Sequence, residues 1–136
     1  MNWPLVFLLS LFGLGMGVAT VFVVPSNVEP FFWLVIFLIS AWVIAKQAPG
    51  RPFVHGLMVG IVNSFWITTY HVLLVQSYLP RHPQEAEMMK SMPMPDSPRL
   101  MMAMVGPVVG VVSGAVIGLL ALAAGKLVGR RPPAPA

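Results

Sequence analysis

Four long apolar runs, separated by short polar breaks, set the plan of the chain. The first extends from about Trp3 to Val24, between Asn2, a residue suited to capping a helix, and Pro25, which stops one. The second, from about Pro30 to Gln47, opens on Phe31, Phe32 and Trp33, an aromatic cluster of the kind found at membrane–water interfaces. The third runs from about Pro52 to Leu79 and the fourth from about Leu100 to Lys126. A helix needs about 20 apolar residues to cross a hydrocarbon core, and each run meets or approaches that length. If continuous to Leu79, the third would measure roughly 42 Å and would have to tilt or project.

Only Ser26 to Glu29 separate the first two runs, which predicts an antiparallel hairpin. The pattern therefore predicts an all-α membrane bundle of four helices, built as two paired hairpins, within a single domain covering residues 1–129. The first run has no Lys/Arg-rich start, so it is read as a spanning helix rather than a secretion signal. Between the third and fourth runs lies the one sizeable loop, residues 80–99. Pro83, Glu85, Glu87 and Lys90 fit a short helix with its charges placed to suit the dipole. Pro93, Pro95 and Pro98 then impose extended chain, with Asp96 or Ser97 positioned to cap the last helix. Pro107 predicts a kink in that helix, the alternative being a span that starts near Pro107 after an interfacial stretch from Arg99 to Met104. The tail, residues 130–136, reads RRPPAPA and is expected to be disordered.

Small residues recur within the runs. Gly106, Gly110, Gly114 and Gly118 fall four apart, prolonged by Ala121 and Gly125. Gly13 with Gly17, and Gly56 with Gly60 and Ser64, repeat the spacing. Such stripes are costly in a soluble helix but let helix backbones approach closely in lipid. The first, third and fourth helices are accordingly expected to make the tightest contacts, leaving the second most exposed to lipid. Composition agrees with the class: 57% of residues are hydrophobic and 9% charged, against about 25% charged in soluble domains. The net charge of +4 comes from basic residues at segment ends, which argues for membrane topology and against nucleic-acid binding. Lys46, Arg51, Lys126, Arg130 and Arg131 lie at one end, and Arg81, Lys90 and Arg99 at the other, among Glu29, Glu85, Glu87 and Asp96. Both termini are thus expected in the cytoplasm, in a plasma (inner) membrane. The expected partners are the lipid bilayer and further copies of the chain or a larger membrane complex.

Candidate chemistry is sparse. The third run alone carries marked polarity, with Asn63, Ser64, Thr68, Tyr70 and His71 proposed as one polar path or ligand face. An ionisable residue within a span is costly unless something uses it; the competing reading is that these groups are interhelical packing bonds. His55 is expected as a solvated headgroup contact. No carboxylate lies deep in a run, which argues against a carboxylate-driven ion-coupled carrier. Seven of ten methionines fall between positions 88 and 104. Thioethers select Cu(I), so Met88, Met89, Met92 and Met94 with His82 form a candidate soft-metal set; gap-filling packing is the alternative. There is no cysteine, no phosphate loop and only one aspartate, Asp96, so neither an enzyme nor a resident cofactor is expected. Three functions follow as expectations: an accessory subunit assembling through glycine faces, a small homo-oligomeric channel or transporter using the third helix, and a Cu(I)/Ag(I)-handling protein.

Overall fold

The computed structural model describes residues 1–129, so the tail expected to be disordered lies outside it. Its helices are α1 (Trp3–Phe22), α2 (Glu29–Gln47), α3 (Pro52–Leu73), the single turn α4 (Val75–Tyr78), α5 (Pro83–Lys90) and α6 (Pro98–Val128); a 3-10 turn, Leu79–Arg81, joins α4 to α5. α1, α2, α3 and α6 are long and apolar enough to cross a membrane. The starts follow local chemistry. Asn2 caps α1 by accepting the Leu5 N–H at 3.2 Å, and prolines occupy the first turn of α1, α2, α3, α5 and α6, where no N–H is needed. Ser97 holds the N-cap position of α6, although its side chain makes no cap bond. α6 is continuous from Pro98 to Val128 with Pro107 inside it.

The third helix is shorter than the apolar run. It stops at Leu73; Leu74 leaves helical geometry at φ −109° and ψ 27°, and the single turn α4 begins at Val75. The break turns Val75 and Tyr78 inward, where they are buried with Val21 and Met102. Burial of these apolar side chains favours the break.

The chain alternates between two ends. One carries residues 1–2, the 48–51 turn and the end of α6; the other, the loop end, carries the 23–28 connector and the segment from 74 to 97. The helices do not pair as consecutive hairpins. α3 and α6 share the largest interface, α1 lies on α3, and α2 lies mainly on α6, so α1 and α2 barely meet. The expected trio of α1, α3 and α6 is therefore a row with α3 in the middle, and α2 has a partner in α6.

Glycine explains the central pair. A Cβ on Gly60 or Gly56 would collide with the backbone of Gly114 or Gly118, and one on Gly114 would sit 2.5 Å from the Leu57 carbonyl oxygen. Gly118 faces Phe53, Gly110 faces Ser64, and Gly106 faces Thr68. Gly13 and Gly17 of α1 admit Asn63 and Tyr70 of α3 in the same way. Ala121 is fully buried, whereas Gly125 faces open space. At the terminal end Leu5, Val6 and Leu9 of α1, Ala41, Ile44 and Ala48 of α2, Val59 of α3, and Ile117 and Ala121 of α6 make one closed apolar core. At the loop end the helices leave space between them.

Candidate functional site

That space is a cavity of about 600 Å³ bounded by α2, α3 and α6 and covered by α5 and the residues that follow it. α3 contributes Asn63, Ser64, Thr68 and His71, so four of the five residues singled out on the third run come together. The fifth, Tyr70, turns the other way and packs against Gly17 of α1. From α2 come Glu29, Trp33 and Phe37; from α6, Met101, Met102, Val105, Val109 and Ser113; from the cover, Glu85, Met88, Met89 and Met92. Ser26 and Tyr78 complete the outer rim.

Asn63 lies at the inner limit of the cavity and is 3% exposed. Its Oδ1 accepts the Gly13 N–H at 3.0 Å, which fixes the orientation of the amide, because a reversed amide would set two donors against each other. Its Nδ2 has no partner. A buried amide donor left unpaired costs on the order of 1–3 kcal/mol, and this one is closed within the cavity wall with no accessible surface of its own. Ser64 donates to the Gly106 carbonyl, tying α3 to α6.

His71 is held from α1. Its Nε2 lies 2.9 Å from Thr20 Oγ1, and the Thr20 hydroxyl already donates to the Met16 carbonyl at 2.8 Å. The imidazole therefore donates from Nε2 and keeps Nδ1 as an acceptor. Its ring stacks on Tyr78 at 4.0 Å between centroids, and Tyr78 stacks on His82 at 4.1 Å. Burial first, and then the charges of Glu85 and Glu29, push the Tyr78 phenol upward, so it stays a neutral group. His82 is 1% exposed, donates from Nδ1 to the Tyr78 carbonyl at 2.9 Å and leaves Nε2 unpartnered.

The two carboxylates at the rim are half-buried. Glu29 accepts the Trp33 indole N–H at 3.1 Å and Glu85 accepts the Ser26 hydroxyl at 2.8 Å. Among the described residues the only ion pair is Lys90–Glu87, on the exposed side of α5, so neither rim carboxylate is paired with a cation. Arg81 is drawn off toward α1, over the Phe22 ring at 5.7 Å.

The candidate soft-metal set divides. Met88, Met89 and Met92 line the cavity with Met101 and Met102, while Met94 and His82 do not. No group of three or more His, Asp or Glu side chains suited to a metal occurs among the described residues. His55, expected in solvent, is 5% exposed; it accepts the Asn2 N–H at 2.9 Å through Nε2 and bonds the Arg51 carbonyl at 2.7 Å through Nδ1. Burial is possible because both ring nitrogens find backbone partners, and the ring then pins the start of α1 to the start of α3. The pattern along the chain did not mark Glu29, Glu85, Trp33, Phe37 or Ser113 as residues of one cavity, since each lies at the edge of a run or among apolar neighbours.

No family model, curated protein or solved structure matches the chain.

Proposed function

We propose that this chain is a small membrane carrier or ligand-binding transport protein whose site is the cavity between α2, α3 and α6. The cavity itself carries the reading: an open space between helices long and apolar enough to span a membrane, with polar groups of α3 along one wall and, in that wall, the Asn63 amide whose Nδ2 no protein group satisfies. The volume, about 600 Å³, is that of a site for a small organic molecule. The rim is read as facing away from the cytoplasm, because by sequence the opposite side carries Lys46, Arg51, Lys126, Arg130 and Arg131 against Arg81, Lys90 and Arg99 on the rim side, five to three.

Two alternatives have less support. An accessory subunit docking through glycine faces would need those faces free, yet Gly56, Gly60, Gly110, Gly114 and Gly118 close against the neighbouring helix of the same chain. A Cu(I) site would need a tight nest of thioethers, whereas the methionines are spread along a wall of a large space.

The absence of cysteine gives a direct test. Ser113→Cys places a single thiol deep in the cavity, and Ser91→Cys and Gly50→Cys place one at each end. In sealed right-side-out vesicles, a membrane-impermeant methanethiosulfonate should modify positions 113 and 91 but not 50. Val109→Trp, which fills the cavity, should slow modification at 113 about tenfold or more. A thiol at 113 that stays unmodified while 91 reacts overturns the carrier reading.

A further inference from the structure

The charge distribution around this cavity is one-sided. The chain has twice as many basic as acidic residues, eight against four, yet two of the four acids line the cavity and none of the described lysines or arginines does. Glu29 and Glu85 enter from different segments, the first turn of α2 and the first turn of α5, and meet across the rim. Each is half-buried and hydrogen-bonded to a neutral donor, Trp33 or Ser26, with no lysine or arginine paired to it; the buried His82 is the one base that acts on Glu29. Half-buried carboxylates without a counter-charge are under-compensated until a cation arrives.

The walls specify what kind of cation. Trp33, Phe37 and Tyr78 present aromatic rings, which attract cations and bury apolar surface, and five methionines supply soft, adaptable surface. A hydrated metal ion has no use for such walls, and the cavity is far larger than a bare ion needs. Along α3, Asn63 and His71 are eight residues apart, roughly 12 Å of helix, so the rim and the unpaired amide are separated by about the length of a small drug-like molecule.

Building on the carrier reading, we propose that the ligand is an amphipathic organic cation, seated with its positive head between Glu29 and Glu85, its apolar body along the aromatic and methionine walls, and a hydrogen-bond acceptor toward Asn63. This gives each unsatisfied feature of the cavity one complementary ligand part. The three demands together also separate it from a lipid tail, which would answer only the walls.

Two ions of the same shape and opposite charge test the assignment without any mutation. Tetraphenylphosphonium and tetraphenylborate are titrated against the full chain in phosphatidylcholine nanodiscs, with protein-free nanodiscs subtracted. The phosphonium should bind saturably and about tenfold or more tightly than the borate. Glu29→Gln and Glu85→Gln should each weaken phosphonium binding severalfold, and Glu87→Gln, on the exposed face of α5, should not. Equal or tighter binding of the borate, or undiminished phosphonium binding by both rim variants, overturns the cation assignment. Saturable Ag(I) binding lost in Met89→Leu, with no phosphonium binding, overturns it in favour of a soft metal. Failure of the phosphonium to bind overturns it as well, and the thiol at position 113 then decides the rest: modified, the carrier reading stands with a different ligand; unmodified, both fall.

Discussion

The Asn63 carboxamide is divided between two neighbours. Its oxygen holds α1 through the Gly13 N–H, while its nitrogen has no partner and lies enclosed in the cavity wall. Replacing it separates a packing role from a binding role. Asn63→Leu removes an interhelical bond worth about 1 kcal/mol in a membrane protein, but also removes an unpaired buried donor of similar cost. The two effects have opposite sign, so thermal unfolding in detergent should shift by only a few degrees, whereas affinity for an acceptor-bearing organic cation should fall about tenfold. A large loss of stability would make Asn63 a structural residue and remove it from the site. Asn63, Ser64, Thr68 and His71 were legible in the sequence because polar side chains stand out in an apolar run. Tyr70 shares their helix but points to Gly17, since one residue before His71 is about 100° around the helix. Glu29 and Glu85 were not legible as site residues, because a carboxylate at a helix start has a sufficient local reason to be there, favourable interaction with the dipole.

At the scale of elements, the glycine spacing of four located the helix faces that approach closely, but not which glycines are indispensable. The α3–α6 interface draws that line. Gly114 sits against Leu57 backbone, where an added methyl would lie 2.5 Å from the carbonyl oxygen, whereas Gly15 of α1 faces open space. Gly114→Ala should therefore lower stability by about 1–3 kcal/mol, the usual cost of overpacking, because backbone rather than a flexible side chain has to move. Gly15→Ala should be neutral or stabilising by up to about 1 kcal/mol through helix propensity. Thermal unfolding of the two single variants in the same detergent checks the contrast; equal shifts would mean that the close approach is not what holds α3 to α6. The helix starts were legible from prolines and Asn2. The end of α3 was not: nothing at Leu73–Leu74 breaks a helix locally, and the turn exists because Val75 and Tyr78 find a buried place beside Val21 and Met102.

At the scale of the whole molecule, hydropathy predicts how many helices there are but not their neighbours. A short connector between α1 and α2 suggested that they pair, yet a connector constrains only the helix ends it joins, and close-fitting small residues decided the partners. The resulting row leaves the two ends unlike. At the terminal end all four long helices contribute to one core in which Val6, Ile44, Val59, Ile117 and Ala121 are inaccessible. At the loop end α5 buries no residue, and it covers a cavity rather than a packed layer. Local opening follows buried contact, so stability should be graded along the bundle axis. Hydrogen exchange in nanodiscs should show amides of Leu9–Gly13, Ala41–Ala45 and Val59–Asn63 protected far longer than those of α5. Solvent shielding by lipid would protect both ends of the spanning helices alike, so the comparison that isolates packing lies within α6, between Met102–Gly106 beside the cavity and Ile117–Ala121 in the core. The core stretch should exchange more slowly. Adding tetraphenylphosphonium should then slow exchange in α5 and in Met102–Gly106 while leaving Ile117–Ala121 unchanged, because a ligand stabilises the segments it touches. Uniform exchange along α6, with or without the cation, would contradict a bundle closed at one end and open to a ligand at the other.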